Sequence, residues 1–459
     1  MSNRLTYRWE DEMSVDDHNR ECDSVSWIKV APSIYSCIVI IPMLFLFQVS
    51  DTSNSDVSRT LSFAIPADPI RFTNSNETIL HLSAKVVNAD GSSLSESDEV
   101  FISVDNATGF FTSSQVQLGN LLLPSFELCP NGSKLMNRFG SAAETRRQIW
   151  DPLSGYTYLE NIYSSKVDAS LTGCFVMKIK QCQHSKLLNL YARFPSPFMQ
   201  SVTQLLPPGV PLTLSLRRAS DAFVLSTLES SRDKSYKLSI TNACVYVRRI
   251  LLASVTNQSL KQSLSLPNWG LKYVRLSSQI TMIPKGTQVF SGANLLTDYS
   301  RRLPQICYIY LVSESAFFGS YDRLSTYWET ADAQKIQLFN NGRNLLSQSI
   351  KTHFVYNEDD SLNIEKADAI QPFLVAMCSL GHAFAPQKPV PITYTNFVCG
   401  AFCYVSKLSG CDESGPINGT ISVELTFARP LLESTMLIIC GEYETTIKSL
   451  GNNDFQLEC

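Results

Sequence analysis

The chain has little charge. Only 17% of its 459 residues are Asp, Glu, Lys or Arg, and the formal net charge is -4. No basic excess exists to grip a phosphate backbone, so the footprint of a nucleic-acid-binding protein is missing. Histidine is scarcer still, at five residues. His18, His81, His184, His353 and His382 lie far apart, and a Ser-His-Asp set could be assembled from them only by arbitrary choice. No glycine-rich phosphate loop follows a strand pattern, and neither HExxH nor GxSxG occurs. The chain therefore reads as a non-enzyme: no catalytic residue, no cofactor and no metal are expected.

Cysteine is plentiful, but the thirteen residues lack a repeated short spacing. Cys399, Cys403 and Cys411 with His382 supply zinc-ligand types, yet CxxxC followed by a lone Cys is not the paired pattern of a structural zinc site. Buried thiols are the simpler account, because free Cys behaves as a small hydrophobe. Cys440, inside MLIICGEY, sits in such a setting.

Helix signals are also scarce. The clearest is 134–149, with Arg, Ala, Glu and Gln in its second half. Strand signals run almost everywhere from Thr60 onward. Leu80, Leu82, Ala84 and Val86 share one face of ILHLSAKVVN (79–88), and 89–91 supplies a turn. VPLTLSL (210–216), YKLSITNACVYV (236–247), YVRLSSQITMI (273–283) and ISVELTF (421–427) alternate in the same way. In the last of these, Val423, Leu425 and Phe427 are expected to point inward together. The apolar content of 44% is enough to fill real cores. The length suits roughly two large β domains. Many short strands broken by Pro and Gly argue for sandwiches or jelly rolls rather than an α/β sheet. A polar stretch at 226–234 looks like the division between two strand-rich halves.

One long apolar run stands apart. Residues 30–50, VAPSIYSCIVIIPMLFLFQVS, carry no charge over about the twenty residues that span a bilayer, after a polar, acidic segment at 1–29. The expectation is a hydrophobic helix, a single transmembrane span with its N-terminus inside, standing away from the β body. Asn76, Asn106, Asn131, Asn257 and Asn418 head glycosylation sequons, which matter only on a secretory route.

Further along, LPQICYIYLVSESAFFGSYD (303–322) ends an apolar strand in an aromatic loop. Phe317, Phe318 and Tyr321 can plug the open end of a core or anchor a neighbouring subunit.

The order of several segments resembles the double jelly-roll major capsid protein of Polinton/Maverick elements and their adintovirus relatives. The segments are IRFTNSNETILHLSAKVVNADGSSL (70–94), SQVQLGN (114–120), LYARFPSPFMQSVTQLLPPGVPLTLSLRRASDAFVL (190–225) and YKLSITNACVYVRRI (236–250). They continue with IPKGTQVFSGANL (283–295), the 303–322 stretch, and GTISVELTFARPLLESTMLIICGEYETTI (419–447). The resemblance covers about 60–447, and residues 1–59 have no counterpart in it. It implies an all-β fold of two consecutive jelly rolls, 60–225 and 235–447, with 448–459 as a C-terminal tail. It also implies a structural protein whose partners are itself, as homotrimers that tile a shell around double-stranded DNA, and other capsid proteins, without sequence-specific contact to nucleic acid. The location implied is the virion, with membrane contact if 30–50 spans a bilayer. The rival reading is a single-pass type II membrane glycoprotein with a β-sandwich ectodomain.

Overall fold

The computed structural model describes residues 24–30, 60–127, 129–140, 164–167, 172–202, 204–251, 270–296, 302–345, 348–357, 362–384, 390–408, 411–412, 415–416, 419–451 and 454–458. The alternation of the sequence becomes two face-to-face sandwiches, built twice on one plan. The first uses β1 (Ser24–Val30), β2 (Thr60–Ile65), β3 (Phe72–Asn88), β4 (Phe111–Leu118), β5 (Leu121–Leu122), β6 (Leu188–Arg193), β7 (Leu212–Arg218) and β8 (Tyr236–Leu251). They form one sheet in the order β1-β8-β3-β6 and another in the order β2-β7-β4-β5.

The second sandwich uses β9 (Gly270–Ile283), β10 (Val289–Leu296), β11 (Ile306–Ser313), β12 (Ala333–Asn340), β13 (Arg343–Asn344), β14 (Tyr404–Lys407), β15 (Ile421–Phe427) and β16 (Thr435–Gly451). Its sheets run β9-β16-β11-β14 and β10-β15-β12-β13. Adding eight to each strand of the first roll gives the second. This is the eight-stranded, two-sheet order of a jelly roll.

Helices occupy the connections. Among them are α1 (Cys129–Gly140) and α2 (Thr172–Cys182) between β5 and β6, α3 (Glu314–Phe318) after β11, and α4 (Ile370–Ser379) between β13 and β14. The helix expected at 134–149 begins earlier, and its residues 141–149 lie outside the described residues.

The period-two expectation holds on β15. Val423, Leu425 and Phe427 are buried, while Ser422, Glu424 and Thr426 are not. Leu212, Leu214 and Leu216 on β7 do the same for the first core.

Three boundaries differ from expectation. Residues 24–30, expected in a polar lead to a helix, pair antiparallel with β8 from Ser24↔Leu251 to Val30↔Val245. They supply the first strand of the first roll, so that roll does not begin at Thr60. Residues 31–50 of the apolar run lie outside the described residues. Among those that are described, no helix is long and apolar enough to cross a membrane. Residues 236–250, expected to open the second roll, instead close the first: β8 pairs along β3 from Tyr236↔Asn88 to Ile250↔Phe72. The polar stretch at 226–234 therefore joins two strands of one roll. Finally, the expected tail holds a strand, Asp454–Glu458, paired with the end of β16.

The rolls are not separate beads. β9 and β16 pair over fourteen positions, from Gly270↔Lys448 to Ile283↔Thr435. One end of this ribbon buries Leu271, Tyr273 and Ile447 in the first core, with Phe455 beside them. Its other end buries Ile283, Leu437, Ile438 and Ile439 in the second. Ser201, beside the first core, fastens the ribbon by accepting the Val274 N–H at 2.9 Å.

Candidate functional site

The seam between the rolls brings together aromatic and ionisable side chains from both halves of the chain. It starts where β11 ends. Helix α3 lasts five residues because Gly319 stops it at φ +94°, donating its N–H to the Ser315 carbonyl at 3.1 Å. A side chain would not fit there. A Cβ on Gly319 would come within 2.6 Å of the Phe223 backbone nitrogen, which belongs to the first roll's β7–β8 connection.

The three residues singled out in this loop separate. Phe317 packs on the second core. Tyr321 turns to the first: its hydroxyl donates to the Tyr236 carbonyl at 3.0 Å, its ring meets Tyr236 edge-on at 6.4 Å, and its carbonyl accepts the Thr227 N–H at 2.7 Å. Burial raises the Tyr321 pKa, keeping the phenol neutral and able to donate. Phe318 is left 64% exposed, edge-on to Phe317 at 5.3 Å.

Beyond the loop, Ser325 donates to the Phe223 carbonyl at 2.6 Å, and Ser226 donates to that of Arg323 at 2.7 Å. Leu324 and Tyr327 join Phe101, Val167, Phe175 and Ile179 in a small third core between the rolls.

The centre of the seam is Trp328, 0% exposed. It stacks on Tyr310 of β11 at 4.2 Å and donates its Nε1–H to Asn131 Oδ1, on α1 of the first roll, at 3.0 Å. Lys134, one turn along α1, holds its ammonium 5.0 Å from the Trp328 ring centroid and donates to the carbonyls of Thr326 and Gly400. Desolvation lowers the Lys134 pKa to about 8, against the opposing pull of Asp105 3.8 Å away. Burial pushes the Asp105 carboxyl up, but Lys134, Arg138 and Lys178 outweigh it and hold the group below its usual range. A cation desolvated among carbonyls, an anion and an indole face is a structural clamp.

The sequons fall in unlike places. Asn131 is 2% exposed and occupied by Trp328, which leaves no room for a glycan. Asn106 caps a short turn by accepting from the Thr108 N–H at 2.9 Å. Asn76 accepts from Arg193. Asn257 and Asn418 lie outside the described residues.

Cys403 and Cys440 are buried thiols whose pKa values burial raises, the latter to about 12. Among the described residues, no group of three or more His, Cys, Asp or Glu side chains could hold a metal ion.

Sequence reasoning missed Trp328, Lys134, Asp105 and Arg138. The only signal was a Trp inside a polar interstrand stretch, STYWETAD, where solvent alone would not favour an indole.

No protein-family model and no curated protein sequence matches the chain. Solved structures do match. A chain in the cryo-EM structure of the Sputnik virophage superposes with a TM-score of 0.60 at 11% identity, over 98% of this chain and 92% of that one. The crystal structure of the mavirus major capsid protein gives 0.53 at 10% identity, over 100% and 95%. A chain of the quasi-atomic PBCV-1 virus capsid gives 0.53 at 10% identity, over 98% and 99%. At such identities the likeness concerns the fold: this chain is all-β and matches double jelly-roll capsid folds over nearly its whole length.

Proposed function

We propose that the chain is a structural shell subunit, the major capsid protein of a Polinton/Maverick-like DNA element, assembling first into trimeric capsomers and then into a shell with other capsid proteins. The observation that carries this reading is the extent of the fold match, 100% of this chain against 95% of the mavirus major capsid protein. A chance likeness would be expected to cover one sandwich, not both in the same order. The clamp at Trp328 fits the role, because a shell subunit works by holding two rolls in one fixed relation. In this reading Tyr321 ties the rolls together within the chain, Phe317 seals the second core, and exposed Phe318 is a contact for a neighbour.

The test is expression of the full chain, followed by size-exclusion chromatography with light scattering and negative-stain electron microscopy. Three-fold particles or closed shells are expected. A chain that stays monomeric at every concentration overturns the proposal, as does one recovered glycosylated in membranes.

A further inference from the structure

Helix α4 is unusual for a surface helix. Its sequence IQPFLVAMCS carries no charge, although a helix that is apolar all round is normally buried. Pro372, Ala376 and Met377 face the second core. Ile370 (64% exposed) and Leu374 (54%) are left outward, with exposed Cys378 completing the i, i+4, i+8 row.

The chain itself shows how such a surface is used. In the first roll, the β5–β6 connection carries α1, whose Phe139 lies 6.2 Å from Tyr308 and 6.4 Å from Trp328. Helix α1 thus packs against the outward side of β11, around Tyr308, in the second roll. Helix α4 sits in the equivalent β13–β14 connection of the second roll. The equivalent outward face of the first roll is aromatic as well. His81 on β3 stacks on Tyr191 of β6 at 4.4 Å and lies 6.3 Å from Tyr246 of β8. The positions correspond in detail: His81 is paired with Cys244 across β3 and β8, as Tyr308 is with Cys440 across β11 and β16. Tyr191 and Tyr246 remain only partly buried, and α4 packs within its own roll, on β14.

We propose that α4 of one copy docks on the Tyr191–His81–Tyr246 face of a second copy, repeating between chains the contact that α1 makes within one. The contact is head-to-tail, so each copy offers one helix and one face, and a ring closes when the rotation allows. This deepens the shell-subunit reading and rests on it.

The experiment uses full-length chains carrying Ile370→Asp with Leu374→Asp, or Tyr191→Ser with Tyr246→Ser, followed by analytical ultracentrifugation. Each should self-associate about thirtyfold more weakly than the unaltered chain, the scale of a lost hot spot. Mixed together, the two should form a heterodimer that grows no further, because each retains the half the other lacks. Matching thermal melts establish that both are folded, and Leu374→Ser serves if the double Asp variant melts early. If the altered chains assemble like the unaltered one, or are monomeric and fail to pair, this docking is overturned while the shell reading stands. If the unaltered chain never associates, both fall.

Discussion

β3 and β11 occupy the same place in their rolls but read differently. On β3 the apolar core residues Leu80, Leu82, Ala84 and Val86 alternate with polar ones, of which His81 and Ser83 are themselves buried and Lys85 is half-buried. On β11 nearly every residue of ICYIYLVS is buried. The difference lies outside the strand. The outward side of β11 is roofed by Trp328 and α1, whereas among the described residues the outward side of β3 carries its own cluster of His81, Tyr191 and Tyr246. A strand covered on one face alternates, and one covered on both becomes a continuous apolar run. The run at 303–322 therefore reported a second layer. Its loop residues are what remained visible of a seam assembled from distant parts of the chain.

The greatest expected effect concerns the first strand of the first roll, which ends the comparison if it is wrong. A chain beginning at Thr60 lacks β1 and leaves the β8 edge bare. At about 1 kcal/mol per lost ladder hydrogen bond, the loss rivals the whole net stability of a domain. Insoluble or unfolded protein is expected, while a chain beginning at Ser24 should stay folded. Soluble, normally melting protein from the shorter chain would mean that β1 is dispensable.

Next comes the roof. Trp328→Ala removes the stack on Tyr310 and the hydrogen bond to Asn131, at a cost of about 3–5 kcal/mol in denaturant unfolding. A cost under about 1 kcal/mol, typical of surface sites, would show that the seam is slack.

Leu214→Ala and Leu425→Ala, at matching core positions of β7 and β15, should each cost about 2–5 kcal/mol. Because the β9/β16 ribbon enters both cores, each should shift one common unfolding transition. Two separate transitions, each moved by only one variant, would show the rolls to be independent.

The smallest effect is one of pH, and its sign differs across the molecule. In the first roll, the backbone N–H of Arg71 leads the groups that hold Asp68 down to about 2, with Ile70 N–H and Arg249 adding to it. That stability is present above the ordinary carboxylate range and is lost as pH falls towards 2. On the seam, desolvation raises Glu329 to about 6, with Glu433 adding and Ser165 and Arg323 opposing. Its contribution grows as pH falls through 6 and disappears above it. Glu329→Gln should therefore flatten the melting-temperature profile between pH 5 and 7, and Asp68→Asn should flatten it below pH 4. An unchanged profile in either variant refutes that assignment.

Period-two patterning made the fold class and most strands legible, since a strand's faces are written in its own residues. Neighbours are not written there. β1 went unread because its last residue, Val30, also opens the apolar run at 30–50, and its partner β8 lies far along the chain. β8 was given to the wrong roll for the same reason: alternation gives faces, not partners. The seam was least legible of all. Asn131, Lys134 and Trp328 come from opposite halves of the sequence, and nothing local marks a Lys destined for burial.

The ribbon also imposes an order in time. Chains emerge from the ribosome at about 5–20 residues per second, and domains ordinarily fold as they appear. Here β8 completes the first roll's sheet at Leu251, yet that roll's core still lacks Leu271, Tyr273, Ile447 and Phe455. Two of these, Ile447 and Phe455, arrive only with the last strand of the second roll and after it. The first half to be synthesised is thus among the last to be finished, and through that interval its open core is available to whatever chaperone or neighbouring chain meets it.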